Sequence, residues 1–390
     1  MTKVKLAEIT LINPTLDKLA DENQQVAFVP MASVLADPPQ VQVAESRTLS
    51  SVKSGFSYFQ DGDILVAKIT PCFENGKIAQ ARIEFRHGFG STEFHVVRPK
   101  ADQIDGRYLL HFLRQNYIRR QGERRMTGSA GQRRVPKVFL ESLEIYLPSI
   151  AEQKRIAAIL DKADELRELR RQALWELDAI VQSIFIEMFG DPVNNPKQWI
   201  FKTLGDVLDL ITYGLTVRPK YVQDGIPLIS AKEIRSGTID FETAAKISLH
   251  DFNNLSDKAK PVEGDILFSK TGSIGHCALV SEKRSFAVTQ NAARISFRQN
   301  LVDKKYALYY FREGRIQSLA QSAAKGNAVK DLQLGKMKEF PFPMPPLPLQ
   351  QEFAKRVEVI EQLKITHRES LDQLDALFAS LQHRAFRGEL

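Results

Sequence analysis

Gly62-Asp63-Ile64-Leu65 is written a second time as Gly264-Asp265-Ile266-Leu267, 202 residues downstream. Two further phrases recur at nearly the same distance. Lys5-Leu6-Ala7-Glu8-Ile9 is echoed by Thr203-Leu204-Gly205-Asp206-Val207, and Leu147-Pro148 through Gln153 by Pro345-Pro346 through Gln351, where Pro and Gln both carry an offset of 198. Each Pro-to-Gln junction opens a long charged helical pattern. A globular segment plus a long helix, written twice, predicts two lobes related by a pseudo-two-fold internal repeat.

The 390 residues suit two domains rather than one core. Residues 1–148 read as mixed α/β, and residues 191–346 repeat their order. Val26–Pro30, Asp63–Ile69 and Glu93–Val97 are strand candidates in the first copy; Ile226–Ile229 and Asp265–Lys270 are their counterparts. Tyr108–Leu113 and Tyr306–Phe311 begin matching helices. The expected fold class is therefore α/β (α+β), with two globular domains joined by two long helical regions, 149–190 and 347–390.

In the first region Ile159, Ala163, Leu166, Leu169, Ala173, Leu177, Ile180 and Ile184 recur at spacings of three and four. In the second, Phe353, Val357 and Ile360 do so, followed by Leu371, Leu374, Phe378 and Leu381. Such stripes, flanked by charge, belong to helices packed along their length. About 40 residues of helix reach ~60 Å. Laying the two antiparallel would close the repeat; the alternative is that each helix merely caps its own domain.

The net charge of +7 is unevenly placed. Residues 151–189 carry six Lys/Arg against eight Asp/Glu and residues 347–390 six against seven, which leaves +10 on the rest. Basic lobes on near-neutral helices point to a polyanion for the lobes and protein for the helices; a mildly basic protein without a charged ligand is the plainer reading. No apolar run is long enough to span a membrane. The N-terminus lacks the apolar stretch of a signal peptide. The two cysteines, Cys72 and Cys277, both follow the repeated strands and fit a reducing cytoplasm better than a disulfide.

Catalytic motifs are missing. Asp37-Pro38-Pro39-Gln40 is similar to the loop with which amino-methyltransferases hold a target amine, but Gln40 replaces the stacking aromatic and no Gly-rich donor loop follows a strand. There is no Walker sequence, no nucleophile elbow and no zinc-like Cys/His spacing. The residues predict a turn, and a non-catalytic chain.

A basic segment stands out instead. Arg114, Arg119, Arg120, Arg124, Arg125, Arg133, Arg134 and Lys137 face Glu123 alone, interrupted by small residues, and Arg119–Lys137 reads as an exposed loop. Arginine forks donate to phosphates or guanine edges, so this segment predicts nucleic-acid contact; a solvated charge run is the alternative. The second copy offers Lys325, Asn327 and Lys330 over Lys325–Lys330, aligned with Thr127–Gln132. Lys68, Thr70 and Asn75 after the first repeated strand match Lys270, Thr271 and Ser273 after the second. Ser91, Thr92 and Glu93 match Thr289, Gln290 and Asn291. Gln and Asn can read adenine, and Glu can accept from cytosine; a turn or strand-end role fits each of these residues equally.

In their order and duplication, the paired Gly-Asp-Ile-Leu strands, the two Pro-to-Gln junctions, Met188-Phe189-Gly190-Asp191-Pro192 and the terminal Phe386-Arg387-Gly388-Glu389-Leu390 resemble the DNA-specificity subunit of type I restriction–modification enzymes, over essentially the whole chain. The resemblance implies two target-recognition domains, each reading one half of a split, asymmetric site in double-stranded DNA. It implies antiparallel spacer helices and two methyltransferase subunits as partners, which carry S-adenosylmethionine. Motor–nuclease subunits using ATP and Mg would join them, in a prokaryotic cytoplasm, with no cofactor or metal in this chain. Arg133-Arg134 against Asp331-Leu332 is a departure between the copies, expected if they read different half-sites. A two-lobed scaffold that binds only proteins, and a self-sufficient methyltransferase, are the rival readings.

Overall fold

The computed structural model describes residues 3–390 except 17–20, 44, 130, 218, 327 and 328. The chain divides into two compact units, Met1–Gln172 with Arg368–Leu390, and Ala173–His367.

In the first unit the repeated phrase forms the strand Ile64–Ala67, central in a four-stranded antiparallel sheet with Thr10–Ile12, Phe94–Pro99 and Ile78–Gln80. Ile64 and Val66 pack on the helix Gly106–Leu113 and the first long helix, in a core with Tyr108, Leu109, Ile156 and Leu160. Leu65 points the other way, into a second sheet built on Gln25–Val29. A strand covered on both faces needs an unbroken apolar run, which is why the phrase reads as one. The second unit repeats this: Ile266 and Phe268 join the helix-side core and Leu267 the core beneath Ile226–Ile229. In both units the second sheet contains one parallel pair, Gln25–Val29 with Gly88–Gly90 and Ile226–Ile229 with Ala287–Val288. The fourth strand of that sheet is added at opposite edges, Ser57–Phe59 in one unit and Tyr221–Val222 in the other.

The aspartate of the phrase is buried and paired. Asp63 takes two hydrogen bonds from Arg98, at 2.8 and 2.7 Å, and one from the Gln60 N–H. Asp265 takes them from Arg294, Ser296 and the Val262 N–H. Strand register puts Arg98 opposite Leu11 and level with Ser296, two residues from the level of Arg294, on the same face of the strand. Each unit thus builds the same ion pair from a different position.

The junction glutamines are buried clamps. Gln153 accepts from the Asp105 N–H at 2.8 Å and donates to the carbonyls of Gln103 and Pro148. Gln350 accepts from the Asp303 N–H at 2.9 Å and donates to Leu301 and Pro345. Asp105 and Asp303 are the N-caps of Gly106–Leu113 and Lys304–Arg312, so each clamp ties a capped helix to the start of a long one. The counterpart of Gln153 is Gln350, fully buried, and not the exposed Gln351 aligned from the sequence.

The long helices are Ile150–Phe189 and Leu347–Ala385. Within the first unit, Arg155 reaches the Leu390 carbonyl and Arg167 pairs with Asp375 and covers the Phe378 ring. Within the second, Asp178 pairs with Lys364, and Phe185 and Phe189 pack edge-on against Phe353. Both sets of contacts run antiparallel. The second helix buries or half-buries the expected stripe. The first does so only in part: Ala163 is buried and Ile159, Ala173, Leu177 and Ile184 half-buried, but Leu166, Leu169 and Ile180 are 42%, 52% and 47% exposed, whereas Gln153, Ile156, Leu160, Val181, Phe185 and Phe189 face inward. An even three-four spacing drifts around a helix of 3.6 residues per turn, and the buried face follows the packing instead. Cys72 lies in a turn and Cys277 inside a strand, so their positions are not equivalent; both are free thiols. No helix among the described residues is long and apolar enough to cross a membrane.

Candidate nucleic-acid interface

In each unit three segments meet where the repeated strand ends. The Lys68 N–H donates to the Glu93 carbonyl at 2.9 Å, the Val135 N–H to the Lys68 carbonyl at 2.8 Å, and the Thr70 N–H to the Arg133 carbonyl at 3.0 Å. Thr127 and Arg134 exchange backbone hydrogen bonds and close a turn between them. The second unit repeats all of this: Lys270 to Asn291, Leu332 to Lys270, Gly272 to Lys330, and Lys325 with Asp331. The three groups singled out from the sequence therefore lie side by side in both copies.

This frame corrects the alignment. The turn from Lys325 to Asp331 is one residue shorter than that from Thr127 to Arg134, so Arg134 is matched by Asp331 and Arg133 by Lys330. The same lost residue moves the Pro-to-Gln correspondence by one. Gly128 and Gly326 start the two turns at φ +119° and +123°, and a Cβ would lie 2.8 and 2.2 Å from the carbonyl oxygens of Gln132 and Val329. Only glycine fits either place.

The side chains on the shared frame differ. In the first unit Arg134 donates from Nε and Nη2 to both oxygens of Glu93, at 2.7–3.1 Å, and from Nη1 to the Gln132 carbonyl. Those bonds hold the Glu93 carboxyl below its ordinary range. Beside it, His95 contacts the Val135 carbonyl at 2.8 Å and is pushed toward the neutral form by burial. Thr70 donates to Glu74, whose carboxylate lies 3.8 Å from Arg133. In the second unit Lys270 is nearly buried; its ammonium lies over the Tyr213 ring and donates to Asp331, as does the Thr271 hydroxyl. Burial acts to raise the Asp331 carboxyl, but these two donors outweigh it and leave it lowered.

Arg119–Lys137 is not a continuous loop. Asn116–Arg124 is a helix that buries Ile118 and Gly122, and Lys137–Glu141 starts another. Gly122 sits so close to Phe73 and Phe139 that a Cβ would meet their rings within 3 Å. The basic run is also less bare than the sequence implies, because acids outside the run reach it. Arg114 pairs with Asp164, Lys137 with Glu141, and Arg134 with Glu93. Arg119, Arg120, Arg124 and Arg125 meet no carboxylate among the described residues, and all but the half-buried Arg119 are exposed. The matching helix of the second unit, Gly314–Ala323, carries only Arg315, which faces Asp191.

Asn75, Thr92, Gln290, Lys325 and Lys330 are exposed, Thr70 and Thr271 half-buried; Asn327 lies outside the described residues. Asp37-Pro38-Pro39-Gln40 is a turn whose Asp37 pairs with Arg171 at 3.0 Å. The sequence reading missed Asp331 as a site residue, since an acid among bases reads as a departure. It also missed Tyr213, whose exposed ring ends the strand Leu208–Tyr213 and announces nothing by spacing.

The sequence model of the "Type I restriction modification DNA specificity domain" matches residues 1–179 and again 196–376. Among curated proteins, the EcoAI specificity subunit of Escherichia coli is 40% identical over 182 residues, covering 46% of this chain and 31% of that protein. The EcoBI specificity subunit, also from E. coli, is 24% identical over 68% of this chain and 62% of its own length. The chain thus spans about a third of the length of the first of these relatives and under two thirds of the other. Two solved chains share the fold over almost the whole length. One is from a study of assembly and conformational transition in a type I R-M system (TM-score 0.59, 19% identity, 100% of this chain and 98% of that one). The other is the type I S subunit of M. genitalium (TM-score 0.53, 16% identity, 99% and 96%). With that domain matched twice, over most of its length and on one duplicated fold, this chain belongs to the type I restriction–modification DNA specificity family.

Proposed function

We propose that this chain is the sequence-reading subunit of a type I restriction–modification complex and performs no chemistry itself. Residues 1–148 and 191–346 act as recognition domains, each for one half of a bipartite, asymmetric site in double-stranded DNA. The helical regions 149–190 and 347–390 set the spacer and dock two methyltransferase subunits, which supply S-adenosylmethionine; motor–nuclease subunits supply ATP and Mg chemistry in the cytoplasm. The observation that carries this reading is the duplicated three-segment frame with unlike side chains. A constant backbone holding Arg134 in one copy and Asp331 in the other suits two readers of different sequences.

Methylome sequencing of cells expressing the chain with its methyltransferase partner tests it. One bipartite motif that vanishes when this chain is deleted is expected. An unchanged methylome, with no gel shift of genomic fragments by the complex, would favour the protein-only scaffold.

Two finer expectations follow. Arg124→Ala with Arg125→Ala removes two exposed charges from the basic helix, so affinity should fall about equally for all sequences and the salt slope by roughly one per lost phosphate contact. An unaltered slope in binding titrations places that helix off the DNA. Inserting one helical turn near Ala173 should lengthen the preferred gap between half-sites, read by methylation mapping; an unchanged gap removes the ruler role from the helices.

A further inference from the structure

Both frames pair one shared position with a partner of opposite charge, but from different segments: Arg134 with Glu93 in the first, and Asp331 with Lys270, the counterpart of Lys68, in the second. In the first unit Arg134 is the outer member, 41% exposed, and Glu93 the inner one at 24%. In the second the outer member is Asp331, 42% exposed, and the inner one Lys270 at 10%. Arg134 and Asp331 occupy equivalent backbone positions, each bridged on both sides by the same two segments. We infer that this position is the specificity-determining residue of each domain, that Arg134 reads a guanine and Asp331 a cytosine amino group, and that Glu93 and Lys270 are positioning residues behind them. The inference rests on the DNA-reading function proposed above.

The chemistry of the pairs supports this division. A free arginine at a DNA-facing surface is drawn to any phosphate, because charge dominates and orientation does not matter. Glu93 cancels that charge and grips the Nε–Nη2 edge, while the Gln132 carbonyl takes Nη1. The guanidinium is fixed in plane, and one N–H is left on each of Nη1 and Nη2. A donor fork so held suits the O6 and N7 acceptors of guanine. Asp331 has the opposite problem, since a bare carboxylate would be repelled by the phosphates. Lys270 neutralises it from behind, and Thr271 fixes one oxygen with a 2.5 Å hydrogen bond. Both of those bonds go to Oδ1, which leaves Oδ2 as an acceptor for a base amino group. Locking a reading side chain through a second residue is what gives a site discrimination rather than mere affinity. Lys270 and Glu93 are thereby assigned to support, although both residue types could contact DNA directly.

The experiment presents the complex of this chain and its methyltransferase partner with a library of randomised duplexes and sequences what is retained. For Asp331→Asn, the preference should change at one base pair of one half-site, by about tenfold or more, toward adenine. Arg134→Gln should relax one base pair in the other half-site by a similar factor. Glu93→Gln leaves Arg134 charged but released, so discrimination should fall at that same base pair while the salt dependence steepens. A structural role alone would lower the melting temperature and leave every base preference intact. If the unaltered complex retains a bipartite sequence and the folded Arg134→Gln and Asp331→Asn variants retain the same one, this assignment is wrong. If the unaltered complex retains no sequence at all, the DNA-reading function itself fails.

Discussion

Phe353→Ala should cost the second unit about 3–5 kcal/mol of stability, the range for truncating a large buried aromatic. Phe353 is fully buried on the second long helix and touches Phe185 and Phe189 of the first, at ring separations of 5.6 and 5.3 Å, and Tyr309 at 5.6 Å. Phe185 also stacks on Tyr306, whose hydroxyl donates to the Pro343 carbonyl. The cluster thus joins the helix pair to the capped helix of its own domain, and alanine would leave a cavity that none of these rings can close alone. Thermal or urea unfolding followed in parallel for both units should show an early transition in the second. A loss below about 1 kcal/mol would mean the aromatic cluster repacks around the gap.

Asp265→Ala is the second large effect. Arg294 and Asp265 are 9% and 3% exposed at the side chain, so removing the carboxylate strands a buried guanidinium, at a cost of about 3–5 kcal/mol. The Arg294 bond to the Asp257 carbonyl survives but does not neutralise the charge. Asp63→Ala should cost less, because Arg98 is 22% exposed and can turn toward water. Replacing both members of the buried pair, Asp265→Leu with Arg294→Met, should recover part of the loss: the stranded charge goes, while the Val262 N–H and the Ser296 hydroxyl still lose their acceptor. Chemical denaturation of the three variants separates the outcomes: a double variant as unstable as Asp265→Ala alone rules out the stranded charge as the cause.

The repeat was legible because the duplicated residues are those that each unit must bury. Asp63 and Asp265, Gln153 and Gln350, and the apolar run of the central strand recur since each has a partner fixed by the fold. What was less legible has a common physical origin. The partner of the buried aspartate comes from Arg98 in one copy and Arg294 in the other, which no alignment of like residues reveals. A single residue missing from one turn displaced Arg134 from Asp331 and Gln153 from Gln350. The basic run looked unpaired because Glu93 and Asp164 are distant in sequence and near in space. The stripe on the first long helix holds at Ala163, Leu177 and Ile184 and fails at Leu166, Leu169 and Ile180, because leucines and isoleucines are plentiful enough there to fit any spacing.

The clamps at Gln153 and Gln350 have a geometric consequence for how this chain can change length. Each fixes the rotational phase of a long helix at its first turn, because the buried amide reaches backbone groups on the preceding segment and at the N-cap of the domain helix. One residue added beyond a clamp swings every later side chain by about 100°, whereas four, one turn, return it to within about 40° and seven to within about 20°. Changes in helix length should therefore be quantised. Variants with seven extra residues should fold and keep their inward-facing aromatics, and variants with one or two should not.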